Sequence, residues 1–149
     1  MIHPEYDKNI FPYWTTIPIR FRDLDPLKHV NNAIFSTYYE DARIQFIQQV
    51  PSLTDQIEQH YSFVLANVSI DFVHPAEYPA NLLVGTGIKS KGNTSISSFQ
   101  AIYHEQTKKL ISVSESHGVW FNLKEQEPAL LPDIDHENKF LLPESFFTS

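Results

Sequence analysis

Apolar and polar residues alternate from Thr15 to Phe21, with Ile17, Ile19 and Phe21 on one face and Thr16, Pro18 and Arg20 on the other. That period of two predicts a strand, and Pro18, lacking an N–H for the ladder, restricts it to the edge or end of a sheet. A polar loop follows, Arg22 to Val30, carrying Asp23, Asp25, Pro26, Lys28 and His29. The period then changes. From Asn32 to about Gln49 the apolar Ile34, Phe35, Tyr38, Ala42 and Phe46 fall at helical spacing, and Pro51 closes the run. Asn31 stands where a cap residue accepts from a first-turn N–H. The pattern predicts one long helix, then a short helical or irregular piece from Pro51 to His60.

Alternation returns in Val64, Ala66, Val68, Ile70 and Phe72, up to the breaker Pro75, and again in Leu82, Val84, Thr86 and Ile88. Lys91-Gly92-Asn93 is a hairpin-like turn signal, and Thr94 to His104 and Lys109 to Asn122 complete two more strands. Pro128, Pro132 and Pro143 punctuate a tail expected to be irregular. No repeat, low-complexity run or linker divides the chain, so residues 1–149 read as one domain with its core from about residue 14 to 124. The predicted order is strand, loop, long helix, then four strands in a meander. This is an α+β layout, one long central helix against a five-stranded, mostly antiparallel sheet. The helix buries one sheet face. The other is partly apolar and predicts a partner, met through that face or along an edge strand.

Composition narrows the function. With 11 basic and 18 acidic side chains, the formal charge of −7 opposes non-specific nucleic-acid binding, which needs a basic footprint on phosphates. The absence of cysteine excludes disulfides, thiolate metal sites and a cysteine nucleophile, and suits a reducing cytosol. Met1 to Tyr13 holds no apolar run of the signal-peptide kind, and no stretch approaches the ~18 apolar residues of a membrane span. The expectation is a soluble, cytoplasmic protein with neither membrane nor nucleic-acid partner.

The stretch Arg22-Asp23-Leu24-Asp25-Pro26-Leu27-Lys28-His29-Val30-Asn31-Asn32 resembles the signature of the 4-hydroxybenzoyl-CoA thioesterase-like branch of the hotdog superfamily. That signature is an Asp-x-Asp pair, a short loop, and His-Val-Asn-Asn opening a helix. Tyr38-Tyr39-Glu40-Asp41-Ala42-Arg43 is similar to the acidic-Ala-Arg continuation of that helix. Ile70-Asp71-Phe72-Val73-His74-Pro75-Ala76, the Lys91-Gly92-Asn93-Thr94-Ser95 turn and Val119-Trp120-Phe121-Asn122-Leu123 resemble later family segments, in the same order. The likeness runs from about Ile17 to Pro132. Two departures stand out: Lys28 replaces a glycine often found before the histidine, and Tyr78-Pro79-Ala80-Asn81 replaces a Gly-Asp turn.

What the resemblance implies is hydrolysis of an acyl-CoA to free acid and CoA, with CoA as part of the substrate and no other cofactor. It also implies a homodimer or homotetramer with sites at the subunit interface. Thioester hydrolysis needs a base or nucleophile near the carbonyl carbon and donors aimed at its oxygen. A carboxylate in a loop just before a helix supplies the first, and unpaired first-turn N–H groups supply the second. By resemblance Asp25 holds the catalytic aspartate's position, as general base for water or as nucleophile. His29 and Asn31 shape the catalytic site with it, and the Val30 or Asn32 backbone polarises the carbonyl. Glu40, two turns into the helix, faces the substrate or pairs with Arg43 at i,i+3.

Plainer readings stand beside these. Asp23 reads as a loop-structuring residue, and Asp25 taken alone is an ordinary Asp-Pro turn residue. No third and fourth ligand accompanies Asp25 and His29 at metal spacing, so no metal is expected. Lys89, Lys91 and Arg20 are candidates for a basic rim toward CoA phosphates, though lysines near hairpins are commonly just solvated. Phe140, Leu141, Leu142, Phe146 and Phe147 cover either a pocket mouth or simply pack as a terminus. The same pattern also fits an acyl-carrier-protein thioesterase, a hotdog hydratase, or an acyl-CoA-binding module without turnover.

Overall fold

The long helix and the short piece predicted after the polar loop are two separate helices in the computed structural model, which describes residues 1–148. α1 spans Asn32–Ile47 and the seven-residue α2 spans Pro51–Ile57. Pro51 does not merely end the first helix; it occupies the first turn of the second, where its missing N–H costs nothing. α1 buries Phe35, Tyr38, Tyr39, Ala42 and Phe46, the apolar face read from the sequence with Tyr39 added and Ile34 only partly buried.

The strands are β1 (Tyr13–Pro18), β2 (Tyr61–Phe72), β3 (Asn81–Lys91), β4 (Ser95–His104), β5 (Leu110–Asn122) and the two-residue β6 (Glu127–Pro128). All pairings are antiparallel, in the order β1-β3-β4-β5-β2, with β6 on β5. The sheet thus has six strands rather than the expected five. Only β3, β4 and β5 form a meander, because β2 crosses to the far side of β5 instead of pairing with β3. β1 is an edge strand ending at Pro18, as a residue without a ladder donor requires.

β2 also departs from simple alternation. Leu65 pairs with Gly118 but Asn67 with His117, so Ala66 is an extra residue and the facing side chains switch parity there. Phe63 and Leu65 before the bulge, and Ile70 and Phe72 after it, therefore lie on the helix side. The period-two reading placed Val64 on that side; the bulge moves it to the other.

Over β3, β4 and Val113 the second face of the sheet is covered by the chain itself, while Val64, Asn67 and Ser69 of β2 stay exposed on it. Ile2, Tyr6, Ile10 and Phe11 from the beginning, and Leu142, Phe146 and Phe147 from the end, pack with Phe99, Ala101, Tyr103 and Val113. The tail is tied down where β1 ends its pairing: Ile88 N–H donates to Phe140 O (2.9 Å) and Leu142 N–H to Ile88 O (2.8 Å). Glycines make room for both straps. A Cβ on Gly85 would stand 2.3 Å from the Phe11 ring, and one on Gly87 2.6 Å from Leu142 Cγ. Two short 3-10 turns, Glu137–Lys139 and Glu144–Phe146, give order to a tail expected to be irregular. No helix among the described residues is long and apolar enough to cross a membrane.

Because Leu142 is buried against Gly87 and the sheet, Leu142→Ala is expected to lower unfolding free energy by about 2–4 kcal/mol. Urea unfolding measures it; an unchanged midpoint would mean the tail does not pack as described.

Candidate active site

The two aspartates of the Asp-x-Asp pair have opposite fates. Asp23 is 1% exposed and fully engaged. Its carboxylate accepts from Arg20 N–H (3.0 Å), from the Arg20 guanidinium (2.9 Å) and from the Tyr38 hydroxyl (2.7 Å). Its carbonyl takes the Asn31 N–H (2.9 Å), so one residue fastens β1's exit, the loop and the start of α1. Burial by itself would raise the Asp23 carboxyl, but the Tyr38 hydroxyl and the Arg20 groups together hold it below the usual range. Burial and the same carboxylate push the Tyr38 phenol up.

Asp25 heads a tight loop. Its N–H donates to His29 O (2.8 Å), and its own carbonyl receives Lys28 N–H (2.9 Å). Its Oδ1 accepts from Leu27 N–H (2.9 Å) and His29 N–H (3.3 Å), while Oδ2 meets no donor among the described residues. Lys28, in the position of the family's glycine, has φ 64° and so occupies the left-handed region. The loop closes through a bridge between Leu24 and Val30, and a second joins His29 to Glu77.

The other predicted residues gather around this loop, with different availability. Asn31 is the cap of α1, its side-chain oxygen accepting from Ala33 N–H (2.9 Å). Ile34 N–H is taken by Asn31 O (2.9 Å) and Val30 N–H by Ala76 O (2.9 Å), so Val30 has no backbone donor to offer. Asn32 N–H, at the first position of α1, has no acceptor among the described residues. The His29 imidazole lies 3.6 Å from Glu77 rather than against Asp25. Glu40 is exposed, and no contact within ion-pair distance joins it to Arg43.

Sequence reasoning missed the cavity. About 540 Å³ of space lies between the second half of α1, α2 and the sheet. Ile44, Ile47, Leu53, Ile57, Phe63 and Leu65 give it apolar walls, and Glu40, Arg43, Ser98 and Ser116 a polar part. A signal existed: Arg43 sits four residues after Tyr39 and three before Phe46, a charge within the buried helical stripe. The candidate basic rim fares differently, since Lys89 pairs with Glu115, Lys91 with Glu137 and Arg20 with Asp23. Among the described residues no cluster of three or more His, Asp or Glu could hold a metal ion.

A sequence model of the thioesterase-like superfamily matches residues 19–138. No curated protein matches the chain. Among solved structures, a thioesterase from Thermus thermophilus, crystallised with coenzyme A and zinc, is 30% identical with a TM-score of 0.72. That match covers 89% of this chain and 94% of the other. The probable thioesterase YbaW from Escherichia coli is 23% identical, TM-score 0.75, with 87% and 98% covered. The 1,4-dihydroxy-2-naphthoyl-CoA thioesterase of Synechocystis is 23% identical, TM-score 0.72, with 80% and 89% covered.

Two outcomes test this geometry. Lys28→Gly relieves a left-handed L-residue and is expected to raise stability by up to ~1 kcal/mol, the larger unfolded-state entropy of glycine offsetting part of the gain. The lowered Asp23 carboxyl contributes stability that is complete above the unfolded value of about 3.9 and is lost as pH falls through the folded one. The gap in urea midpoint between wild type and Asp23→Asn should therefore be widest near neutrality and narrow below about pH 4. A gap independent of pH would remove the charged Asp23 from the clamp.

Proposed function

The chain belongs to the thioesterase-like superfamily, a hotdog-fold thioester hydrolase, and on that premise we propose that it cleaves acyl-CoA thioesters to free acid and CoA. The observation that carries the site assignment is the contrast between Asp23, whose oxygens are consumed, and Asp25, whose Oδ2 meets no donor among the described residues, in the loop that leads to the unpaired Asn32 N–H of α1.

In this reading Oδ1 is the structural oxygen, fixed by two loop N–H groups, and Oδ2 is the reactive one. It takes a proton from water, or attacks the carbonyl carbon directly. In the first route water's oxygen bonds to that carbon, the C–S bond breaks, and the thiolate leaves with a proton. The Asn32 N–H, helped by the positive end of the α1 dipole, stabilises the charge developing on the carbonyl oxygen. Asn31 orders the turn, and His29 sits at its rim with Glu77. The crystallised coenzyme A complex of the 30% identical relative supports CoA as the carrier.

The working unit we propose is a homodimer made along β2. This twelve-residue strand has a free edge, and Val64, Leu65, Val68 and Phe72 are 38–48% exposed on it. The cover over the β3 and β4 part of the outer face favours this edge over face-to-face stacking and so favours a dimer over a tetramer. The cavity begins at Glu40, eight residues or about 12 Å along α1 from the Asn32 N–H. Two-fold pairing of β2 would set the partner's α1 antiparallel alongside, bringing the partner's loop toward this cavity.

Free-thiol release from a panel of acyl-CoAs tests the chemistry against a clean background, since the protein has no cysteine. Asp25→Asn is expected to lower kcat by about 10²–10⁴-fold with the fold intact. Wild-type activity in that variant would sink the assignment. Light scattering should give twice the chain mass, and a stable active monomer would overturn the shared site.

A further inference from the structure

Arg43 carries a charge into surroundings that do not answer it. α1 places it on the face that packs toward the sheet, and it lines the cavity with Ser98 and Ser116. Among the described residues its one hydrogen bond runs from Nη1 to Gln100 Oε1, at 3.3 Å. Gln100 is itself buried, its amide N–H groups donating to Tyr39 O (3.2 Å) and Thr86 Oγ1 (3.0 Å), so its oxygen is held toward the guanidinium. This acceptor is neutral. No carboxylate among the described residues lies within ion-pair distance of Arg43, and Glu40 acts on it only from farther off.

A guanidinium offers five N–H donors in a planar fork. One is used here. The cavity's remaining walls are mainly apolar, and a cation partly stripped of water without a counter-ion is costly. Burial accordingly draws the Arg43 pKa down. An anion entering the cavity would find a pre-positioned fork of the kind that binds carboxylates through two parallel bonds. The hydrophobic wall of Ile44, Ile47, Leu53 and Phe63 would take methylene groups at the same time.

We propose that the acyl group accepted by this protein carries a second carboxylate, which Arg43 binds, making the substrate the CoA half-thioester of a dicarboxylic acid. The proposal rests on the thioesterase reading, but its test does not need turnover. Non-hydrolysable thioether analogues of CoA carrying dicarboxylic chains of increasing length are compared by calorimetry with monocarboxylic analogues of equal length. The proteins are wild type, Arg43→Met and Arg43→Lys.

Wild type is expected to bind the carboxylated analogue about tenfold more tightly at its best length. In Arg43→Met its affinity falls to that of the neutral analogue. Arg43→Lys, which keeps the charge and loses the fork, retains only part of the preference, and it decides the matter if the methionine variant does not fold. A wild type that favours the neutral analogue at every length overturns the proposal. So does a methionine variant that weakens both analogues equally while losing its dimer, which would assign Arg43 to a carboxylate of the second copy. Absence of acyl-CoA hydrolysis by wild type would count against the thioesterase reading and leave the binding preference legible.

Discussion

Asp23 lies between the end of β1 and the middle of α1, its oxygens divided among the Arg20 main chain, the Arg20 guanidinium and the Tyr38 hydroxyl. A buried carboxylate left without such partners would cost several kcal/mol. The loop therefore has little freedom to rearrange without opening all of these bonds together. Asp25, two residues on, inherits a defined position from this anchor. The free Asp25 oxygen and the free Asn32 N–H are seven residues apart in sequence, with the Asn31–Asp23 bond tying the loop to the start of α1.

The site and the cavity share α1 but use different parts of it. Its first turn leaves the Asn32 N–H unpaired and its second half lines the cavity with side chains, so the length of the helix sets the distance between the two. The sheet beneath it reflects the same division. Leu82, Val84 and Ile102 pack under the first half, whereas Thr86, Gln100, Ser114 and Ser116 form a polar strip that a plain apolar core would not contain. The Ser114 hydroxyl is buried without a partner among the described residues, an unusual expense in a folded interior. Arg43 bonds to Gln100 of that strip, and Ser116 carries it to the wall of the cavity.

Much of this was legible in advance because it is local. The helical period of α1, the Asn31 cap and the Pro18 edge position depend on neighbours in sequence, and each appears where the pattern put it. The period of two located the strands but carried the first one on to Phe21, which lies exposed in a 3-10 turn beyond Pro18. What was not legible depends on distant pairings. The Ala66 bulge reverses the parity of β2, and nothing in Val64-Leu65-Ala66-Asn67 marks which residue is extra. The placement of β2 beyond β5 is a choice of partner, and any of three strands with similar alternation could have supplied it. The split between Asp23 and Asp25 was suggested by resemblance, but its physical cause, a tyrosine fifteen residues away, becomes visible only once the helix lies on the loop. Val30 likewise loses its donor role to Ala76, from a connection the sequence could not place against it.

The edges of the sheet are unequal. On one side β1 is short and stops at a proline, and residues 140–142 bond to the stretch of β3 that β1 leaves bare. On the other, β2 is long and open. A sheet with two open edges can add copies head to tail without limit, whereas one whose single open edge meets its own copy closes at once. Residues 140–142 thus lengthen the cover that the short β1 begins: with them detached, the N–H and carbonyl of Ile88 would stand unpaired beside β1, offering a foreign strand a place to bond.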